Sequence, residues 1–94
     1  MNNKHIGNSW EDYKTQFMTE EERRELKAKT DFMVKLIDLR NEEITQTELS
    51  NKTGIAQSVI SKIETGKSSP TLETVIKMLA GMGYELDIIP TQMK

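Results

Sequence analysis

The sequence predicts a small, mostly helical protein, and three observations favour that class. The chain has 94 residues, which suits one domain. Apolar residues recur at helical spacing along most of the chain, and glycines stand where such helices would end. One C-terminal segment alternates apolar and acidic residues instead. We therefore expect an all-α fold of five helices with an N-terminal helical extension and a short C-terminal β-strand.

Composition argues against several functional classes. The chain contains no cysteine and a single histidine, His5, so metal sites, cofactor sites and His-based catalysis have little to build on. No apolar run approaches the roughly 20 residues that cross a bilayer, and the first residues lack a secretory pattern. We expect a cytoplasmic protein that is no enzyme and binds no membrane, metal, cofactor or small-molecule ligand.

The negative charge lies in the N-terminal half. Residues 1–43 hold 8 basic and 10 acidic side chains, whereas residues 44–94 hold 5 of each, which accounts for the net charge of −2. Nothing in the overall charge therefore predicts a polyanion partner, and any such partner must meet a local surface.

A first, short helix is predicted from Ser9 to about Phe17. Ser9 can cap it, and Trp10, Tyr13 and Phe17 fall on one side at i, i+3 and i+7. A helix this short is not stable alone. Its aromatic side must dock either on the protein's own core or on a partner.

The second helix starts better, with Thr19 and Glu22 at capping-box spacing. The apolar pattern continues to about Arg40. It favours one long helix, although two helices broken near Thr30 and Asp31 also fit. The first half is charged nearly all round, so we expect it to be solvated unless a partner covers it.

Residues 46–65 predict two short helices on either side of Gly54, with Gly66 ending the second. Small and apolar residues stand where two helices crossing about a tight turn would need them, which matches a helix-turn-helix. On a helical wheel the side opposite the predicted core carries short hydroxyls and a cation, with Gln57 and Val59 on its flanks. These outward residues are Ser58, Ser61, Lys62 and Thr65. Such groups suit base edges and phosphates.

After Pro70, Thr71 is placed to cap a last helix that would close the core. Its predicted inward face carries Leu72, Val75, Ile76, Leu79 and Met82.

The alternation over residues 84–88 then predicts the strand. A lone strand needs a mate, most simply the same strand of a second copy. The predicted dimer contacts are therefore Tyr84, Leu86 and Ile88.

Residues 45–70 contain three characteristic segments: Thr-Gln-Thr-Glu-Leu-Ser, Thr-Gly-Ile and Val-Ile-Ser-Lys-Ile-Glu-Thr-Gly-Lys-Ser-Ser-Pro. Together these segments resemble the XRE (Cro/C1) family of helix-turn-helix proteins. The resemblance implies that Gln46 hydrogen-bonds a phosphate and that Glu64 ties the recognition helix to the helix ending at Arg40. It also implies two sets of DNA contacts. Those entering the major groove are Gln57, Ser58, Ser61 and Lys62, and those touching backbone phosphate are Lys67 and Ser68.

The flanks extend the resemblance. Three flanking segments take part: Ser-Trp-Glu-Asp-Tyr-Lys near the start, the Thr-Glu-Glu-Glu helix start, and Tyr-Glu-Leu-Asp-Ile-Ile-Pro near the end. With them, the chain is similar to HigA-type antitoxins. This implies a homodimer that neutralises a small basic RelE-like (HigB-type) toxin and represses its own operon on double-stranded operator DNA. One departure is a short connection, residues 41–44, which leaves open how Arg40 packs against Glu64.

The expected organisation is an N-terminal extension over residues 1–29, a helix-turn-helix domain over 30–83 and a strand and tail over 84–94. The residues expected to bind the toxin are Trp10, Tyr13, Phe17, Glu21 and Glu25. Two other interpretations stay open. One is a free-standing XRE-family repressor without a toxin, and the other is a helix-turn-helix unit that binds protein rather than DNA.

Overall fold

The computed structural model describes residues 17–91, which contain four α-helices. They are α1 (Glu20–Glu43), α2 (Gln46–Thr53), α3 (Gln57–Glu64) and α4 (Leu72–Gly81). The chain divides into two units, one up to Val34 and one from Lys35 onward.

Helix α1 is one uninterrupted helix of 24 residues, so the long-helix interpretation is confirmed. The predicted capping box is present: the Glu22 backbone N–H donates to Thr19 Oγ1 at 3.0 Å, and the Thr19 N–H donates to Glu22 Oε1 at 2.8 Å. Every residue from 20 to 31 is exposed. This half of the helix is therefore stabilised by its cap and local charge pairs rather than by a core.

The second unit holds the buried apolar core. Leu49, Ile60 and Met78 have no exposed surface, and α2 packs against both α3 and α4. The other buried apolar side chains are Leu36, Ile63, Val75 and Leu79. Three short helices and the C-terminal end of α1 thus share one core.

The turn between α2 and α3 depends on Gly54. Its φ is 80°, a left-handed value that favours glycine, and its N–H donates to the Ser50 carbonyl at 2.8 Å. Thr53 adds a brace, because its hydroxyl donates to the Leu49 carbonyl at 2.7 Å and accepts from the Ile55 N–H at 3.1 Å. The predicted role of Gly54 as the helix-ending residue is confirmed.

Helix α4 approaches α2 closely at Gly81. A β-carbon built there would lie 2.7 Å from Thr53 Cγ2 and 3.0 Å from Leu49 Cδ1. Both distances are shorter than van der Waals contact, so any larger residue at this position would force Thr53 and Leu49 to shift.

The prediction of five helices and a C-terminal strand is wrong. Within residues 17–91 the structure has four helices and no strand, and residues 84–91 have no regular secondary structure. Alternation satisfies one face of a strand but supplies no neighbour for its backbone groups, and the described part of the chain provides none. The predicted helix from Ser9 lies outside the described residues, apart from Phe17, which lies in a turn.

Helix α4 also differs from its predicted orientation. The structure buries Val75 and Leu79 as expected, together with Met78, but leaves Leu72 68% and Ile76 47% exposed. The apolar residues of the helix form one arc that is broader than the side in contact with the core, so periodicity alone could not determine which part of the arc is buried.

Candidate nucleic-acid interface

Helix α3 is anchored by two isoleucines and presents a polar side outward. Ile60 and Ile63 are buried, at 0% and 3% exposure. Around them the predicted base-contacting residues fall on the accessible surface. Gln57, Ser58 and Lys62 are exposed, and Ser61 is half-buried. The structure therefore brings these four side chains together on one short helix.

A buried ion pair holds the end of α3. The Arg40 guanidinium donates two hydrogen bonds to the Glu64 carboxylate, from Nε at 2.7 Å and from Nη2 at 2.8 Å. The two side chains are only 10% and 8% exposed. A third guanidinium nitrogen of Arg40 donates to the Ile44 carbonyl at 3.1 Å. The short 41–44 connection is thus compatible with full pairing, which answers the question left open by the sequence.

Gln46 completes this cluster. Its side-chain amide donates to Glu64 Oε1 at 3.0 Å, so the first residue of α2 is tied to the last residue of α3. Carboxylates that accept several donors from an Arg fork and an amide are held in a fixed geometry. The Arg40–Glu64–Gln46 cluster therefore fixes the angle between α2 and α3.

The charges of the cluster stabilise one another. Desolvation is the largest influence on Glu64 and favours its neutral form, but the hydrogen bonds from Arg40 and Gln46 and the Arg40 charge outweigh it and lower the pKa of Glu64. The hydrogen bond with Glu64 raises the pKa of Arg40 against the opposing effect of desolvation. Both groups are charged at neutral pH, as a fixed ion pair requires.

The start of α2 lies beside the N-terminal end of α3. An open concavity of about 530 Å³ is lined by residues 40–48 and Gln57. Thr45 caps α2 with a reciprocal pair of hydrogen bonds: Glu48 N–H to Thr45 Oγ1 and Thr45 N–H to Glu48 Oε1, both 3.0 Å. The hydrogen bonds from the backbone and side chain of Thr45 lower the pKa of Glu48.

The loop after α3 carries the remaining predicted DNA contacts. Lys67 and Ser68 are exposed, and their backbone N–H groups both donate to the Lys62 carbonyl, at 2.9 and 3.2 Å. The loop is thus folded back onto the end of α3. Lys62 and Lys67 therefore belong to the same small surface.

Two features were not assigned from the sequence. Val59 is 40% exposed on α3, and the Thr45–Glu48 capping box fixes the start of α2. The capping box has a sequence signal, Thr-x-x-Glu. For the exposure of Val59, the only sequence signal is its flanking position on the helical wheel.

The predicted partner-binding and dimer residues have mixed positions. Trp10 and Tyr13 lie outside the described residues, Phe17 is 71% exposed, and Glu21 and Glu25 are exposed on α1. For the predicted dimer contacts, the Tyr84 hydroxyl donates to Glu43 Oε2 at 3.3 Å, Leu86 is 38% exposed and Ile88 is 94% exposed. The coulombic effect of Glu43 raises the pKa of Tyr84.

Known proteins match this chain over most of its length. The helix-turn-helix family HTH_3 matches residues 36–89, which contain the core, the ion-pair cluster and α3. The chain belongs to this helix-turn-helix family. This makes it a DNA-binding transcriptional regulator of the XRE type, and the prediction that it is no enzyme is confirmed.

Two relatives extend the match beyond the family domain. An uncharacterised HTH-type transcriptional regulator of Haemophilus influenzae is 36% identical over 90 residues, covering 95% of this chain and 92% of the relative. A toxin–antitoxin module from Streptococcus pneumoniae contains a chain of similar fold, with a TM-score of 0.61 and 40% identity over 87% of this chain and 92% of that chain. Within residues 17–91 no helix is both long enough and apolar enough to cross a membrane.

Proposed function

We propose that this regulator is the antitoxin of a toxin–antitoxin pair, of the HigA type, and that it represses its own operon as a homodimer. The observation that carries the proposal is the 40% identity to a chain of a toxin–antitoxin module over nearly the full length of both chains. The similarity includes α1 as well as the helix-turn-helix unit, because 87% coverage extends well beyond residues 36–89.

DNA recognition is assigned to the outward side of α3. Gln57 offers an amide able to pair with adenine, while Ser58, Ser61 and Lys62 offer hydroxyls and a cation to base edges in the major groove. Lys67 and Ser68 contact backbone phosphate. The Gln46 side chain already donates to Glu64, so its phosphate contact uses its remaining amide hydrogen or its backbone N–H at the start of α2.

A dimer is required for adequate affinity. Residues 44–70 carry only three lysines against two glutamates, so one copy offers little electrostatic attraction to phosphate. Two copies double the phosphate-binding surface and read two half-sites. In this architecture we expect half-sites about 34 Å apart, or a multiple of that distance.

Toxin binding is assigned to the extension and the first half of α1. Residues 20–31 are exposed all round and hold five acidic and four basic side chains, with three of the acidic ones, Glu20, Glu21 and Glu22, together in the first turn. The acidic first turn of α1 suits a small basic ribonuclease, since complementary charge accelerates association and disfavours wrong partners. The aromatic residues Trp10, Tyr13 and Phe17 supply the anchors that usually dominate interface energies. We assign neutralisation to occlusion of the RNA-binding surface of the toxin.

The test separates the two activities within one chain. The toxin is identified as a small basic protein that co-purifies with the tagged chain from its host and arrests growth when expressed alone. Co-expression of the full chain should restore growth, whereas a chain lacking residues 1–18 should fail to do so and still bind its own promoter DNA. Rescue by the shortened chain would contradict the assignment of the extension to the toxin.

A free-standing repressor is the second candidate. The relative from Haemophilus influenzae is described only as a transcriptional regulator, with no toxin in its name. Purification of a bare homodimer that binds its promoter, with no growth-arresting partner, would favour this candidate.

A further inference from the structure

Helix α4 carries apolar residues beyond its buried side, on the flank next to the core. Leu72 is 68% exposed and Ile76, one turn later, is 47% exposed. Ala80 is exposed a further turn along the same side. Leu72, Ile76 and Ala80 are called the outer α4 stripe. The adjoining side of the helix, with Val75, Met78 and Leu79, is buried in the core, so the apolar surface of α4 is wider than the core covers.

Two opposite charges border the outer α4 stripe. Glu73 and Lys77 follow Leu72 and Ile76 by one residue each, and their side chains are 80% and 56% exposed. Within the chain they form only a long contact, 3.8 Å from Lys77 Nζ to Glu73 Oε2. Both groups therefore retain the capacity to pair with charges on another molecule.

We propose that a second copy of the chain docks on the outer α4 stripe, with the two α4 helices antiparallel about a two-fold axis near their centres. Such an axis places Ile76 against its own counterpart and Leu72 near the partner's Ala80. It also sets Glu73 against the partner's Lys77, and does so twice. The proposal rests on the dimer in the proposed function and assigns it a surface that the sequence analysis treated as core.

The pattern fits a second copy better than the toxin. The border of the outer α4 stripe is electrically balanced, whereas a basic toxin is complementary to the acidic residues of α1. A surface bearing one acid and one base a helical turn apart is complementary to itself when reversed. Ile88 and Ile89, which are 94% and 76% exposed in the segment after α4, add apolar area for the same association.

The decisive experiment reverses the charges one at a time in the full chain. Glu73→Lys leaves two bases on each copy, and Lys77→Glu leaves two acids, so each variant alone should dimerise about 10-fold more weakly in sedimentation equilibrium. Mixed in equal amounts, the two variants should form a heterodimer of nearly wild-type affinity. The Glu73–Lys77 contact within each chain stays broken in that mixture, so recovery reports pairing between copies.

A second variant tests the apolar part. Ile76→Glu places a carboxylate at the centre of the interface and should weaken dimerisation by at least about 100-fold. The matched control is Val34→Glu on α1, where the side chain is similarly exposed at 51%. Circular dichroism of both variants should match the unaltered chain, because neither residue belongs to the buried core.

The outcomes distinguish this inference from the proposed function. A chain that is monomeric at micromolar concentration, or variants that dimerise like wild type, would overturn the α4 interface even if promoter binding and toxin rescue are normal. Loss of toxin binding with an intact dimer would assign the outer α4 stripe to the toxin and equally overturn it. A dimer that follows the charge exchange but binds neither DNA nor toxin would refute the proposed function instead.

Discussion

The two ends of α1 each contain an ion pair, and the two pairs differ in almost every physical respect. Lys27 and Asp31 lie 2.8 Å apart with side chains 76% and 57% exposed. Arg40 and Glu64 lie 2.7 Å apart with side chains 10% and 8% exposed. The first pair links one turn of a helix to the next, and the second links two helices through residues that are 24 positions apart in sequence.

The difference shows how one helix can serve two purposes. In water an exposed pair gains little, because solvent and salt screen it and both side chains lose freedom. A buried pair is costly to break, because removing one partner leaves an uncompensated charge. The first half of α1 is thus exposed, while its last turn helps to hold α3.

The largest expected effect follows from breaking the buried pair. Arg40→Met should lower the free energy of unfolding by about 3 kcal/mol, because the Glu64 carboxylate stays buried with only Gln46 as a donor. Urea unfolding followed by circular dichroism measures this. The same substitution at Lys27 is the matched control and should leave the midpoint unchanged. Equal effects at both positions would remove the distinction between the two pairs.

The next effect compares how exposed side chains on α3 and on α1 contribute to operator affinity. Gln57→Ala on α3 should weaken operator binding by about 1 to 3 kcal/mol and relax specificity at one base pair. Glu21→Ala on α1 also alters an exposed side chain and should leave operator affinity unaltered. Fluorescence anisotropy with promoter DNA and single base-pair variants gives both values. An unaltered affinity for Gln57→Ala would refute its assignment as a base contact.

A smaller effect tests the packing of the helix-turn-helix unit. Gly81→Ala should destabilise the protein by about 1 kcal/mol despite the better helix propensity of alanine, because the new methyl group meets Thr53 and Leu49. Thr53→Ser removes the nearer methyl group and keeps the hydroxyl that bonds Leu49 and Ile55. The double variant should therefore regain part of the stability that Gly81→Ala loses. Thermal melts in which the two substitutions have independent effects would contradict the close approach of α4 to α2.

The pH dependence of stability tests the contribution of the buried Glu64 carboxylate. The pKa of Glu64 is lower in the folded chain than in the unfolded chain, where it is about 4.3. Its contribution to stability is therefore complete above about pH 4.3 and is lost as the pH falls through the folded value. The free energies of unfolding of wild type and Glu64→Gln, plotted against pH, should converge as the pH falls. A constant difference between them would contradict the linkage.

Local motifs were the most predictable part of this molecule. The capping box at Thr19, the N-cap at Thr71 and the turn glycine Gly54 have steric or hydrogen-bonding requirements that few residues meet, so their positions follow from the chain alone. The helix-turn-helix pattern was recognisable for the same reason, whereas the pairing of Glu64 with the first helix was implied by the resemblance to the XRE family. The geometry at Arg40 was not, because it depends on how residues 41–44 connect two helices.

The incorrect predictions both concern tertiary context. Alternation over residues 84–88 predicted a strand, yet a strand exists only where another strand pairs with it, and no described residue does so. In α4, Leu72 and Val75 are equally apolar, and sequence spacing could not distinguish the side that meets the core from the side left exposed. The residual exposure of Leu72 and Ile76 became visible only in three dimensions.

The most direct test of the α3 interface is a salt titration of promoter binding. Anisotropy titrations at several salt concentrations give the slope of log affinity against log salt for wild type, for Lys62→Ala with Lys67→Ala, and for Lys27→Ala with Lys35→Ala as the charge-matched control. We expect the magnitude of the slope to fall by about 0.9 for each phosphate that the α3 variant no longer neutralises, and to stay at the wild-type value in the control. Equal slopes for all three proteins would contradict the assignment of the α3 surface to DNA.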